Sequence, residues 1–153
     1  MPARSIDQRD AVRQYLAGFE LRNCFGVSLT LKQIDDGVQL DEIRASKNLL
    51  HFLNRLNTEI YGKRFRRFGK KLKVFPSLER SSSNRLHYHL VLENPYPSNP
   101  DTFIRLIEVC WSQTKFGYQQ VHVHQQIDHG WSDYITKSQS ASDGVDWLNV
   151  HSN

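Results

Sequence analysis

His87 and His89 stand two apart in RLHYHLVLE (85–93), and Glu79 lies eight residues before His87. Side chains alternate along a strand, so the two histidines share one face. Leu86, Tyr88, Leu90 and Leu92 take the other. The turn SSSN (81–84) folds the preceding segment back beside them, and a carboxylate at Glu79 can then reach the same point in space. Two imidazoles and one carboxylate, with positions left open for water and substrate, suit a divalent ion such as Mn²⁺ or Mg²⁺. By itself an H-x-H pair is weak evidence, and two polar residues on a half-exposed strand are its commoner meaning. DYITK (133–137) offers a second chemistry. Tyr134 and Lys137 are three apart and share a helical face. A tyrosine near a divalent cation can attack a phosphodiester while a lysine steadies the charge. Alone, Y-x-x-K carries almost no weight, and a buried amphipathic tyrosine is its commoner meaning.

The charge distribution supplies a third element. The segment YGKRFRRFGKKLK (61–73) holds seven of the 20 basic residues and no acidic one. The other 13 basic residues face 16 acidic ones, so the whole positive excess sits in this segment. Lys63, Arg64, Arg66, Arg67, Lys70 and Lys71 form a patch for a polyanion. Tyr61, Phe65 and Phe68 are interleaved for base stacking. The plain alternative is a solvated loop.

Four strands and three helices must position these residues. NCFGVSLTLKQ (23–33) alternates, with Phe25, Val27, Leu29 and Leu31 on one face and Ser28 and Thr30 on the other. Ile43, Leu49, Leu50, Leu53, Leu56 and Ile60 recur at helical spacing, which predicts a helix over 41–60. KLKVFPSLER (71–80) reads as a second strand, with Pro76 marking an edge or a bulge. LHYHLVLE (86–93) is the third strand. A helix over about 101–114 follows, capped by Asp101 or Ser98. YQQVHVHQQI (118–127) is the fourth strand, and a short last helix begins near 130. The order β-α-β-β-α-β-α predicts an α+β fold: an antiparallel sheet with split β-α-β, ferredoxin-like topology. The first two helices cover one face, which leaves the other for a site. Residues 1–22 form an N-terminal extension, 23–140 the domain, and 141–153 a tail or linker.

Taken in order, three motifs resemble the HUH superfamily of single-strand DNA endonucleases, in particular replication initiator domains with one tyrosine. GVSLTLKQ is similar to the first-strand motif, LERSSSNRLHYHLVLE to the metal motif and DYITK to the tyrosine motif. The resemblance spans most of 23–140. It implies a sheet of about five strands, the fifth to be sought in DGVQLDE or near 113–118. It implies that Glu79, His87 and His89 hold Mn²⁺ or Mg²⁺. It further implies that Tyr134 attacks a phosphate of single-stranded DNA at an origin or hairpin, with Lys137 beside it. The products would be a free 3′-OH and a 5′-phosphotyrosine link that can be resealed, as rolling-circle replication requires. A relaxase or transposase of the same superfamily is the nearest alternative. A non-catalytic ferredoxin-like nucleic-acid-binding domain is the alternative from another class.

The remaining features bound this reading. His122 and His124 form a second H-x-H, turned toward the same face by Val121 and Val123. They are expected to contact DNA or stay exposed rather than ligate. No G-x-x-x-x-G-K-[ST] phosphate loop occurs, so unwinding is expected from another domain or from a separate helicase. Tyr88 points away from the metal side. Trp111, Trp131 and Trp147 read as core or rim aromatics, Trp131 also as a base-stacking residue. Two cysteines, Cys24 and Cys110, offer neither a disulfide framework nor a zinc spacing. No apolar run approaches the roughly 20 residues that span a bilayer. The expected home is the bacterial cytoplasm, in a plasmid or phage context, or the host nucleus for a eukaryotic virus.

Overall fold

The computed structural model describes residues 14–128, 130–131 and 144–152. Tyr134 and Lys137 lie outside the described residues, as does most of the last helix expected from sequence. Alternating apolar residues build four long strands: β1 (Cys24–Leu31), β4 (Val74–Arg80), β5 (Leu86–Glu93) and β6 (Gly117–His124). They form one antiparallel sheet in the order β4-β5-β1-β6. With α1 (Glu42–Tyr61) after β1 and α3 (Pro100–Ser112) between β5 and β6, this is the ferredoxin-like α+β arrangement. Among the described residues the main sheet has four strands rather than five. DGVQLDE contributes only β3 (Val38–Gln39), which pairs with β2 (Ile34–Asp35) in a separate hairpin. Residues 113–116 are a turn leading into β6.

The helices lie on one face because α1 and α3 each carry an apolar stripe. Leu49, Phe52, Leu53 and Leu56 meet Phe103, Ile107 and Trp111 over Val27, Leu29, Tyr88, Leu90 and Leu92. Phe52 and Trp111 pack edge to face, and the Trp111 indole N–H donates to the Thr30 carbonyl (2.8 Å). Burying each such side chain stabilises the fold by about 1.5–3 kcal/mol. Helix α1 begins where Asp41 accepts from the Arg44 backbone N–H (2.7 Å). Helix α3 is capped by neither Asp101 nor Ser98. Asn99 occupies the cap position without a side-chain bond, and Pro100 starts the helix. A missing proline N–H costs nothing there, because the first turn has no internal acceptor for it.

Pro76 sits in β4, which is an edge of the four-stranded sheet. Residues 144–152 lie along that edge: Asp146 N–H donates to the Pro76 carbonyl (3.0 Å), and Val74 and His151 exchange two bonds (2.7 and 3.0 Å). Tyr88 donates from the helix side to Asp146 (2.8 Å), which also receives Ser46 Oγ (3.0 Å) and Asn149 Nδ2 (2.8 Å). Burial, reinforced by Asp146, pushes the Tyr88 phenol far above its ordinary range. Among the described residues no helix is long and apolar enough to cross a membrane. Both cysteines are free and buried.

Candidate metal centre

The hairpin β4–β5 closes through Ser81–Arg85. Ser81 N–H donates to the Arg85 carbonyl (2.9 Å), and Asn84 adopts a left-handed φ of 64°. Asparagine tolerates that conformation better than most side chains. The turn sets the register, and the register puts Glu79 directly opposite His87. Ser77 is opposite His89, which in turn pairs with Ser28 on β1. Gln33 steadies the start of β5. Its side chain accepts from Leu86 N–H (2.9 Å) and donates to the Leu86 carbonyl (3.0 Å).

Three donors converge as a result. Glu79 Oε2 lies 3.2 Å from His87 Nε2 and 2.9 Å from His89 Nε2, and the two Nε2 atoms are 3.2 Å apart. Among the described residues this is the group of three or more side chains able to hold a metal ion. Ligands at ~2.1 Å on one face of an octahedron stand about 3.0 Å apart, while a tetrahedral set stands nearer ~3.4 Å. The observed triangle is compact enough for all three donors to bind one divalent ion. The Glu79 and His87 side chains are 24% and 25% exposed against 10% for His89, so the centre opens to one side.

His89 is the anchored member of the group. Its Nδ1 is 2.9 Å from Ser28 Oγ. The hydroxyl can act in either direction. With Nε2 bound to a cation, Nδ1–H donates to Ser28; without one, Nε2–H bonds Glu79 and Ser28 donates to Nδ1. Burial, and then the adjacent His87, hold the His89 imidazole below its ordinary pKa against the opposing pull of Glu79. The ring is thus kept neutral, the form a metal requires. The His89–Glu79 contact is accordingly a hydrogen bond or a shared ligand edge rather than an ion pair.

His122 and His124 lie on the same face, opposite Ser28 and Gly26 respectively. Their rings are 4.5 Å apart, but they do not join the Glu79 group. His124 is also held below its ordinary pKa by burial and by His122.

The basic segment is placed elsewhere. It contains a short helix, α2 (Lys63–Phe68), bracketed by Gly62 and Gly69 at positive φ (54° and 67°). Lys63, Arg64, Arg66, Arg67, Lys70 and Lys71 are all exposed. Arg64 and Lys70 lie over the Tyr61 ring (5.7 and 5.5 Å to its centroid). With Lys73 and Tyr96 they line a cleft of about 470 Å³. This cleft is at the end of the hairpin where β4 begins and β5 finishes. Six residues of strand, about 20 Å, separate Lys73 from Glu79.

Two supports of the centre escape sequence reasoning. Ser28 reads only as an exposed-face hydroxyl; its bond to His89 spans 61 residues and depends on register. Gln33 closes the first-strand motif, and the chain distance to Leu86 hides its clamp. Comparison with protein-family models, with curated proteins and with solved structures finds no match for this chain.

Proposed function

We propose that the chain is a metal-dependent, site-specific endonuclease and ligase for single-stranded DNA, of the HUH type found in replication initiators. The observation that supports it most is the convergence of Glu79, His87 and His89 on the open face of a ferredoxin-like sheet. A purely binding domain has no need of two imidazoles and a carboxylate within 3.2 Å of one another. In this reading Glu79, His87 and His89 hold Mn²⁺ or Mg²⁺, which polarises the scissile phosphate when bound. Ser28 fixes the ring of His89. The Tyr134 hydroxyl loses its proton and forms an O–P bond as the bond to the departing 3′-oxygen breaks. That oxygen takes up a proton and becomes a free 3′-OH, leaving a 5′-phosphotyrosine. Lys137 steadies the charge on the phosphate. Attack by a 3′-OH reverses the step and reseals the strand. Arg64, Arg66, Arg67 and the neighbouring lysines hold DNA phosphates remote from the reaction. Initiation of rolling-circle replication, with a separate helicase, is the setting such chemistry serves.

Tyr88 is unsuited to the nucleophile's role: it is buried on the helix side and bonded to Asp146. The test is a denaturing gel with Mn²⁺ and a labelled oligonucleotide captured from a random single-stranded pool. The wild type gives a shifted covalent adduct, and Tyr134→Phe gives none while Mn²⁺ binding persists. An adduct that survives Tyr134→Phe, or maps to another residue, rejects the assignment.

A further inference from the structure

The open face carries a recess beside the metal centre, of about 720 Å³, lined by Ser28, His89, His124, Gln126, Asp128 and Trp131. His89 belongs to both, so the recess and the metal centre share a wall. A missing side chain seats its aromatic wall. Gly26 of β1 sits opposite His124 on one side and Val91 on the other. A Cβ there would come within 2.7 and 2.8 Å of Trp131 Cε2 and Cζ2, and within 2.9 Å of Ile127 Cγ2. The indole therefore rests on the strand backbone, at a distance only glycine leaves open. The turn before it is tied down: Gly130 N–H donates to Asp128 Oδ1 (2.8 Å) and Trp131 N–H to the Asp128 carbonyl (3.1 Å). The Trp131 ring meets His124 at 4.7 Å and His89 edge-on at 6.1 Å.

An aromatic wall, the His124 imidazole, an amide and a carboxylate are groups that recognise an unstacked base by its face and its edge. Among the described residues no lysine or arginine lines the recess, and the Asp128 carboxylate repels a phosphate. We infer that it is a nucleobase subsite, taking the base of the nucleotide next to the phosphate held at the metal centre. This rests on the single-strand DNA reading above. Trp131 supplies the stacking surface, and Gly26 is a positioning residue that lets the indole lie where it does.

The experiment measures equilibrium binding in Mn²⁺ to the non-cleaving Tyr134→Phe protein. The probe is an oligonucleotide selected from a random single-stranded pool, with an abasic site moved along it one position at a time. A single abasic position beside the cleavage point should weaken binding by roughly 5- to 100-fold, the range of one base–aromatic stack. Trp131→Ala should weaken the intact probe by the same factor and erase the effect of that abasic position. Trp131→Phe should restore most of the affinity. Gly26→Ala, which displaces the indole without deleting it, should mimic Trp131→Ala while Mn²⁺ affinity stays within about 3-fold. Equal losses in Trp131→Ala for intact and abasic probes, or no sensitive position, overturn the subsite. A wild type that binds no single-stranded DNA overturns both the subsite and the function. A wild type that forms the Tyr134 adduct without this abasic pattern overturns the subsite alone.

Discussion

The molecule contains the same three-residue pattern twice on one face of one sheet, with different results. His87 and His89 lie on β5, an inner strand with partners on both sides; His122 and His124 lie on β6, an edge. Glu79 faces the first pair from β4 and completes a triangle of donors. Among the described residues the second pair has only β1 beside it, where its partners are Ser28 and Gly26, neither a carboxylate. Ser28 is shared by register between the pairs, yet its hydroxyl bonds His89. An H-x-H on a strand is thus only a face. A neighbouring strand that adds the third ligand, and another that locks a ring, make it a centre.

The largest effect should come from breaking the triangle. Replacing Glu79, His87 or His89 with Ala removes one of three protein ligands and should weaken Mn²⁺ binding by more than about 100-fold in titration calorimetry. The fold should persist, because these side chains lie outside the helix-covered core. Unchanged Mn²⁺ binding in a His87→Ala, His89→Ala double variant would remove the centre from this face. The next effect probes the lock. Ser28→Ala leaves all three ligands but frees the His89 ring. Loss of a partner of this kind costs 10- to 100-fold in metal affinity. A change under 2-fold would mean that packing alone orients His89.

The legible and illegible parts of the centre divide along the same line. Period-two alternation is local, so the shared face of His87 and His89, and the burial of Tyr88, follow from the residues themselves. The chain distance from Glu79 to His87 across one tight turn is short enough to constrain their pairing, so the third member of the group is also legible. Ser28 is on the correct face by alternation, but its partner depends on how β1 slides against β5. A one-residue slip would flip that relation. Gly26 looks like any small strand residue until Trp131 is seen resting on it. Charge and composition identify the basic segment, yet they do not reveal that glycines at either end let it form a helix at the far end of the hairpin. The segment after 143 reads as a tail or linker, while its backbone bonds to β4 are invisible to side-chain periodicity.

The smallest effect should come from the second pair, and its smallness is the sharper test. His122→Ala, His124→Ala deletes two imidazoles from the same face, at the strand adjacent to Ser28. If an H-x-H were sufficient for ligation, Mn²⁺ affinity would fall as far as it does for His87 or His89. The geometry argues otherwise. His122 is exposed, and His124 turns its ring to Trp131 at 4.7 Å. Neither belongs to the Glu79 group of converging donors. Mn²⁺ affinity in the double variant should therefore stay within about 3-fold of wild type, since neither imidazole is one of the three converging donors. Single-strand binding should weaken instead, because His124 lines the recess beside the centre. A loss of metal affinity above about 10-fold would show that the edge pair supplies a ligand, and the two patterns would then be parts of one larger site.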